Sequence, residues 1–156
     1  MIKKAFYSVS FFILLFFLNG CGFKPVLTGS NYDFEIKVKS ASGEETINSK
    51  IKKQLKNLDG ITKSFDAILN SKLTKNTISK DTKGDPSILE ISITLSYKLI
   101  EKGNILVDKR LTQRSNYNNI SDKFELRKTE EILIDNMVEN LVSNIISDAS
   151  NLSLNP

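Results

Sequence analysis

The chain has 156 residues, of which 40% are hydrophobic and 26% are charged, a composition typical of one globular domain. Its 22 Lys and Arg residues exceed its 18 Asp and Glu residues by only four, and this near balance argues against a nucleic-acid-binding protein, which needs a clustered basic face. The chain has no histidine, and Cys21 is its only cysteine, so it lacks the usual residues of a zinc site and of a Cys/His or Ser/His/Asp catalytic site. We therefore expect no metal, no cofactor and no enzymatic activity.

Residues 1–20 have the three parts of a secretory signal peptide. Lys3 and Lys4 form a short basic segment, and an apolar stretch runs from Ala5 to Leu18 before a small-residue end. The apolar stretch is about 14 residues long, whereas a helix needs roughly 20 to cross a bilayer. We therefore predict a cleaved signal rather than a permanent anchor helix.

The stretch from Leu18 to Cys21, Leu-Asn-Gly-Cys, resembles the bacterial lipobox. In that motif the cysteine thiol receives diacylglycerol, signal peptidase II cleaves before the cysteine, and the new amino group is acylated. The resemblance implies cleavage between Gly20 and Cys21 and a lipid on Cys21. The alternative, a free cysteine buried in a core helix, is disfavoured because nothing after Gly22 continues a helical apolar pattern.

The lipid on Cys21 would hold the mature protein on a membrane, since each buried chain methylene contributes about 0.8 kcal/mol. In Gram-negative lipoproteins, Asp directly after the lipidated cysteine is typical of retention at the inner membrane. Here that residue is Gly22. We therefore expect an outer-membrane lipoprotein that faces the periplasm.

The mature chain divides into a tether at 21–32, a domain at 33–150 and a tail at 151–156. At the start of the domain, apolar and charged residues alternate over 33–39, which predicts a half-buried strand. Ser42 or Gly43 is then the predicted cap of a helix. The apolar face of that helix comprises Ile47, Ile51, Leu55 and Leu58.

Three further strands are predicted from period-two alternation. The first runs from Phe65 to Ser79, and the clearest runs from Ile88 to Glu101. A turn at 102–104 leads to a far more polar return strand, 105–118. The apolar residues of the clearest strand are Ile91, Ile93, Leu95, Tyr97 and Leu99.

A long final helix is predicted to follow a cap at Ser121 or Asp122. Its predicted apolar face comprises Phe124, Ile134, Met137, Val138, Leu141, Val142 and Ile145. The element order is strand, helix, three strands, helix. This order predicts an α+β two-layer sandwich, with two helices packed on one face of a roughly four-stranded, mainly antiparallel sheet.

With these elements in place, the mature chain resembles the LptE family, the lipoprotein subunit of the outer-membrane lipopolysaccharide assembly complex. The opening Cys-Gly-Phe-Lys-Pro-Val-Leu at 21–27 carries part of the resemblance, as does the strand and capped helix from Phe34 to Leu58. The third part is a hairpin with Ser-Tyr-Lys-Leu at 96–99 and Arg-Ser-Asn-Tyr-Asn at 114–118. The chain departs from the family at Val26-Leu27, where Leu-Tyr is usual, and in its polar second strand.

The resemblance implies a domain that sits as a plug inside the LptD β-barrel, helps that barrel assemble, and binds lipopolysaccharide on its way to the outer leaflet. A polar hairpin is compatible with a water-lined barrel lumen, and Lys and Arg pair with lipid phosphates. The candidate contacts with lipopolysaccharide or the barrel are Lys98, Lys102, Lys109, Arg110 and Arg114. The alternative for each is a solvated edge charge that discourages sheet-to-sheet aggregation.

Two other functional classes stay open. One is an unrelated periplasm-facing lipoprotein that serves as adaptor or scaffold for another envelope complex. The other is an enzyme, for which the adjacent carboxylates Glu130 and Glu131 are the available pair. Adjacent helix positions point about 100° apart, so we interpret this pair as a solvated helix face.

Overall fold

The order of elements along the chain is the one that the alternation and helical spacing predict. The structure, a computed structural model, describes residues 32–56, 58, 60 and 62–154. Its elements are β1 (Phe34–Gly43), α1 (Glu45–Leu55), β2 (Lys63–Lys80), β3 (Pro86–Glu101), β4 (Asn104–Asn118) and α2 (Lys123–Leu154). The α+β class is confirmed, whereas the predicted signal peptide, the predicted cleavage site at Gly20 and the predicted lipid site at Cys21 lie outside the described residues.

The four strands form one sheet in the order β1-β2-β3-β4. β1 runs parallel to β2, and α1 provides the crossover that a parallel pair requires. β2, β3 and β4 are consecutive antiparallel strands. The sheet is therefore mixed: one parallel pair is added to an antiparallel meander.

One face of the sheet packs against both helices. Alternate residues of β2 and β3 are buried there, because successive side chains of a strand point to opposite faces. The buried apolar residues are Phe65, Ala67 and Leu69 from β2 and Ile91, Ile93, Leu95, Tyr97 and Leu99 from β3. Every apolar residue that the alternation of β3 assigns to the core is at most 1% exposed.

The two helices bury the faces that their spacing predicts, except at Ile134, which is half-buried, and at Phe124. α1 buries Ile47, Ile51 and Leu55, and the buried residues of α2 run from Met137 to Ala149. Phe124 is 65% exposed, so its predicted place in the core is wrong. It lies in the first turn of α2, which precedes the buried part of the helix.

The two helix starts differ in how well the sequence predicts them. Asp122 Oδ1 accepts hydrogen bonds from the backbone N–H groups of Phe124 and Glu125, at 2.9 and 3.2 Å, and so caps α2 as expected. In contrast, β1 continues through Gly43, and Glu44 occupies the N-cap position of α1 without a side-chain cap. No helix in the described ranges is long and apolar enough to cross a membrane.

Candidate binding face of the sheet

The sheet face that points away from both helices is built from three rows of polar side chains. The first row is Asn70, Ser96 and Arg110; the second is Lys72, Thr94 and Thr112; the third is Thr74, Ser92 and Arg114. We call these nine residues, together with Lys98 and Asp108 beside them, the open face. The rows follow from the register, since residues directly opposite each other on neighbouring strands share a face.

Short polar side chains make the centre of the open face a surface of hydrogen-bonding groups. The hydroxyls of Thr94 and Thr112 lie 3.2 Å apart, and the Thr74 hydroxyl donates to the Ser92 carbonyl oxygen at 3.4 Å. Asn70 Nδ2 donates to the Ser42 hydroxyl at 2.9 Å. These contacts join neighbouring strands, and the threonine and asparagine side chains remain at the surface with further hydrogen-bonding capacity.

Three cations stand on the open face without an acidic partner among the described residues. Lys72, Arg110 and Arg114 are exposed, and none makes an ion pair with another described residue. The two arginines are about 13 Å apart along β4, and Lys72 stands two strands away, about 10 Å across the sheet. Lys98 differs, because its Nζ lies 3.1 Å from Asp108 Oδ2.

An apolar patch borders the open face at the end where β3 turns into β4. Ile100 is opposite Ile105, and Ile68 is opposite Lys98. Ile68 is 38% exposed and Ile105 is 55% exposed. Cationic, hydroxyl-bearing and apolar areas therefore follow one another along a single face, an arrangement that suits a ligand with both an anionic and an apolar part.

The structure brings together three of the five residues that the sequence predicts as contacts. Lys98, Arg110 and Arg114 lie on the open face. Lys102 lies in the turn between β3 and β4, with a φ of 49°. Lys109 lies on the opposite face, because it is directly across from the core residue Tyr97 and successive residues of a strand alternate.

Lys109 takes part in an ionic contact between the sheet and α2. Its Nζ lies 2.7 Å from Asp148 Oδ2, and the Tyr97 hydroxyl donates to the same carboxylate at 2.6 Å. Burial, together with the hydrogen bond to Asp148 and the charge of that carboxylate, raises the pKa of Tyr97 well above its ordinary value. Lys109 therefore helps to hold the two layers together rather than facing a ligand with the arginines.

A second contact of the same kind holds α2 at the other end of the sheet. Lys75 Nζ and the Tyr117 hydroxyl each lie 2.5 Å from a carboxylate oxygen of Glu130. Burial opposes ionisation of Glu130, but the two hydrogen bonds and the Lys75 charge outweigh it and lower the pKa of that carboxyl. The interpretation of Glu130 as part of a solvated face is wrong, because its side chain is only 14% exposed.

Lys72 is the cation of the open face that the sequence prediction missed. The sequence of β2 does indicate its position, because the alternation assigns Ser71 and Leu73 to the core face and therefore Lys72 to the opposite face. Among the described residues, no group of three or more His, Cys, Asp or Glu could hold a metal ion.

Comparisons with known proteins identify the fold. No model of a protein family matches the chain, and no curated protein does. Among solved structures, the rare lipoprotein B from Shewanella oneidensis is similar with a TM-score of 0.58 at 14% identity, over 78% of this chain and 97% of that one. An uncharacterized lipoprotein B from Nitrosomonas europaea has a TM-score of 0.53 at 16% identity, over 86% of this chain and 94% of that one. At these identities the likeness establishes a shared fold.

Proposed function

We propose that this chain is a lipid-anchored outer-membrane protein of the LptE type. In this role it occupies an LptD-type β-barrel as a plug, assists the assembly of that barrel and contacts lipopolysaccharide in transit to the outer leaflet. The observation that carries the proposal is the open face, a sheet surface that points away from both helices. It carries three cations without an ion-pair partner in the described part of the chain, beside an exposed apolar patch.

The chemistry of the open face matches that of lipopolysaccharide. Phosphate groups accept charge-assisted hydrogen bonds from guanidinium groups, which Arg110 and Arg114 present at the surface. The sugars of the ligand offer hydroxyls to Thr94, Thr112 and their neighbours. Its acyl chains need apolar surface, which the patch at Ile68 supplies.

Two further observations support the envelope location. The stretch from Leu18 to Cys21 resembles a lipobox, and the fold is shared with solved proteins that are described as lipoproteins. A polar surface on a lipid-anchored domain is also what the water-lined lumen of a barrel would accept.

The partner is tested by extraction of the full-length protein from membranes in mild detergent. We expect a large β-barrel protein to co-purify, and depletion of this chain to reduce both that barrel and surface lipopolysaccharide. Unchanged surface lipopolysaccharide together with a different partner would replace the proposal with the alternative of an adaptor for another envelope complex.

The ligand is tested by charge reversal on the open face. The triple variant Lys72→Glu, Arg110→Glu and Arg114→Glu should weaken binding of purified lipopolysaccharide by about tenfold or more, since each phosphate contact is charge-assisted. The matched control, Lys53→Glu with Lys83→Glu and Lys128→Glu, reverses three exposed charges elsewhere and should bind within about twofold of the wild type. If the triple variant bound lipopolysaccharide as tightly as the wild type and had an unchanged circular dichroism spectrum, that result would contradict a role of the open face in binding.

A further inference from the structure

A cleft runs along the outer side of β1, between that strand and the C-terminal half of α1. Its volume is about 530 Å³. The strand contributes residues 35–38, and the other wall is formed by Lys52, Leu55, Lys56 and Leu58. β1 is the first strand in the sheet order, so this side of it has no neighbouring strand within the described part of the chain.

The backbone of β1 points unpaired groups into this cleft. The Lys63 N–H donates to the Asp33 carbonyl oxygen at 3.2 Å, and Phe34 is opposite Lys63 in the parallel register. In a parallel pair, alternate residues direct both backbone groups to the neighbour. Asp33, Glu35 and Lys37 therefore bond to β2, while Ile36 and Val38 direct their N–H and C=O groups outward.

The open part of this edge is short and has defined ends. At one end the loop before β2 covers Phe34, because a Cβ added to Gly60 would lie 2.0 Å from the Phe34 backbone nitrogen and 2.3 Å from its oxygen. At the other end the register shifts between Val38 and Ser40. Ile36 and Val38 thus supply the backbone groups that have no strand partner among residues 32–154 as described.

The side chains around this edge combine an apolar floor with a cationic rim. Ile36, Leu55 and Leu58 are buried beneath it. Lys52 and Lys56 are exposed, and neither makes an ion pair with another described residue, whereas Lys37 is paired with Glu35. The charged residues that line the cleft, three Lys and one Glu, carry a net charge of +2.

We propose that this cleft binds an extended acidic segment of a partner protein, which pairs with β1 as a fifth strand of the sheet. The free groups of Ile36 and Val38 supply the main-chain hydrogen bonds, and the apolar floor receives alternate side chains. Lys52 and Lys56 select acidic residues in the segment. This site is separate from the open face and does not depend on the proposed function.

A different kind of occupant fits the structure less well. An anionic lipid would match the lysines and the apolar floor but would leave the backbone groups of Ile36 and Val38 without a partner. The unpaired strand edge therefore favours a peptide.

The proposal is tested with the full-length protein in detergent and a fluorescent peptide with blocked ends, in which four Glu alternate with three Val. We expect saturable binding that slows amide hydrogen exchange at Ile36 and Val38. Lys52→Glu with Lys56→Glu should weaken binding by about tenfold or more. The control, Lys53→Glu with Lys83→Glu, makes the same change in net charge away from the cleft and should bind within about twofold.

A second variant tests the strand pairing itself. Val38→Pro removes an outward N–H without removing a bond to β2, a position where an edge strand tolerates proline. It should abolish binding, whereas Val38→Ala should retain it. The proposal is overturned if a peptide with Lys in place of Glu binds equally well, or if vesicles of anionic phospholipid bind in place of the peptide. It is also overturned if the Ile36 and Val38 amides exchange slowly without peptide and deletion of residues 23–30 makes them exchange fast.

Discussion

Glu130 is the residue for which the sequence was most misleading. Its neighbour Glu131 is exposed, and the two carboxylates side by side suggest a solvated surface. The contacts that bury Glu130 come from Lys75 on β2 and Tyr117 on β4. The sequence of α2 alone does not predict these two partners, because they depend on how the helix packs across the sheet.

The lowered pKa of Glu130 makes part of the stability depend on pH. A carboxyl whose pKa is lower in the folded state than in the unfolded state stabilises the folded protein. This contribution is complete above the unfolded-state pKa, near 4.5, and is lost as the pH falls through the folded-state pKa. Glu130→Gln should therefore reduce the free energy of unfolding by about 1–2 kcal/mol at pH 7 and by less at pH 3. Urea unfolding at the two pH values measures the difference.

Glu131→Gln is the matched control for Glu130→Gln. It removes the adjacent charge, which is exposed and makes no ion pair within the described ranges, so it should change the free energy of unfolding by less than about 0.5 kcal/mol at either pH. Equal effects of the two substitutions would mean that the charge of the helix surface, rather than the contact with Lys75, determines the pH dependence.

At the scale of the elements, Gly43 permits the close junction of β1 with β2. Its φ is 89°, and a Cβ at this position would lie 1.8 Å from the Ser71 carbonyl oxygen. That same oxygen accepts the Glu44 N–H at 3.1 Å, next to the start of α1. The glycine thus satisfies two requirements at once, a left-handed backbone and a contact too close for any side chain.

Gly84 allows these two requirements to be measured separately. It has the same φ of 89° but nothing within 4 Å of an added Cβ. Gly84→Ala should reduce the free energy of unfolding by about 1–2 kcal/mol through backbone strain alone. Gly43→Ala should reduce it by roughly 1–3 kcal/mol more, because the β1–β2 junction must also move apart. Similar denaturation midpoints for the two variants would show that the close contact relaxes without loss.

The alternation of apolar residues was sufficient to predict the strands and the core, because burial of one sheet face imposes a period of two. β3 illustrates this, since all five of its predicted core residues are buried. The parallel pairing of β1 and the end of that strand at Gly43 depend on contacts with β2 that local pattern does not encode. Of the candidate contacts, Arg110 and Arg114 share a face, whereas Lys109, next to Arg110 in the strand, belongs to the other.

At the scale of the whole molecule, the domain has two unlike sides. Both helices and the two Tyr–carboxylate–Lys contacts belong to one side, and the open face forms the other. The proposed lipid at Cys21 would tether this domain to a membrane, and this hypothesis is tested independently of the open face.

The lipid is tested by Cys21→Ser. This substitution removes the only thiol in the chain, so incorporation of labelled palmitate should be lost and the unprocessed precursor should accumulate. The anchor hypothesis fails if the variant is labelled and processed as the wild type is. A second substitution, Ser8→Ala, leaves the proposed lipobox intact and should retain normal labelling.

The unequal lengths of the strands have a consequence for folding order. β2, β3 and β4 are adjacent in sequence and joined by tight turns, so their pairing has a low contact order and can form early. β1 is synthesised first, yet it pairs only with the first half of β2 and does so across a helical crossover. We therefore expect β1 to join the sheet last of the described strands. Beyond Ser71 the edge of β2 is not covered by β1, and there Lys72 and Lys75 discourage pairing with another chain.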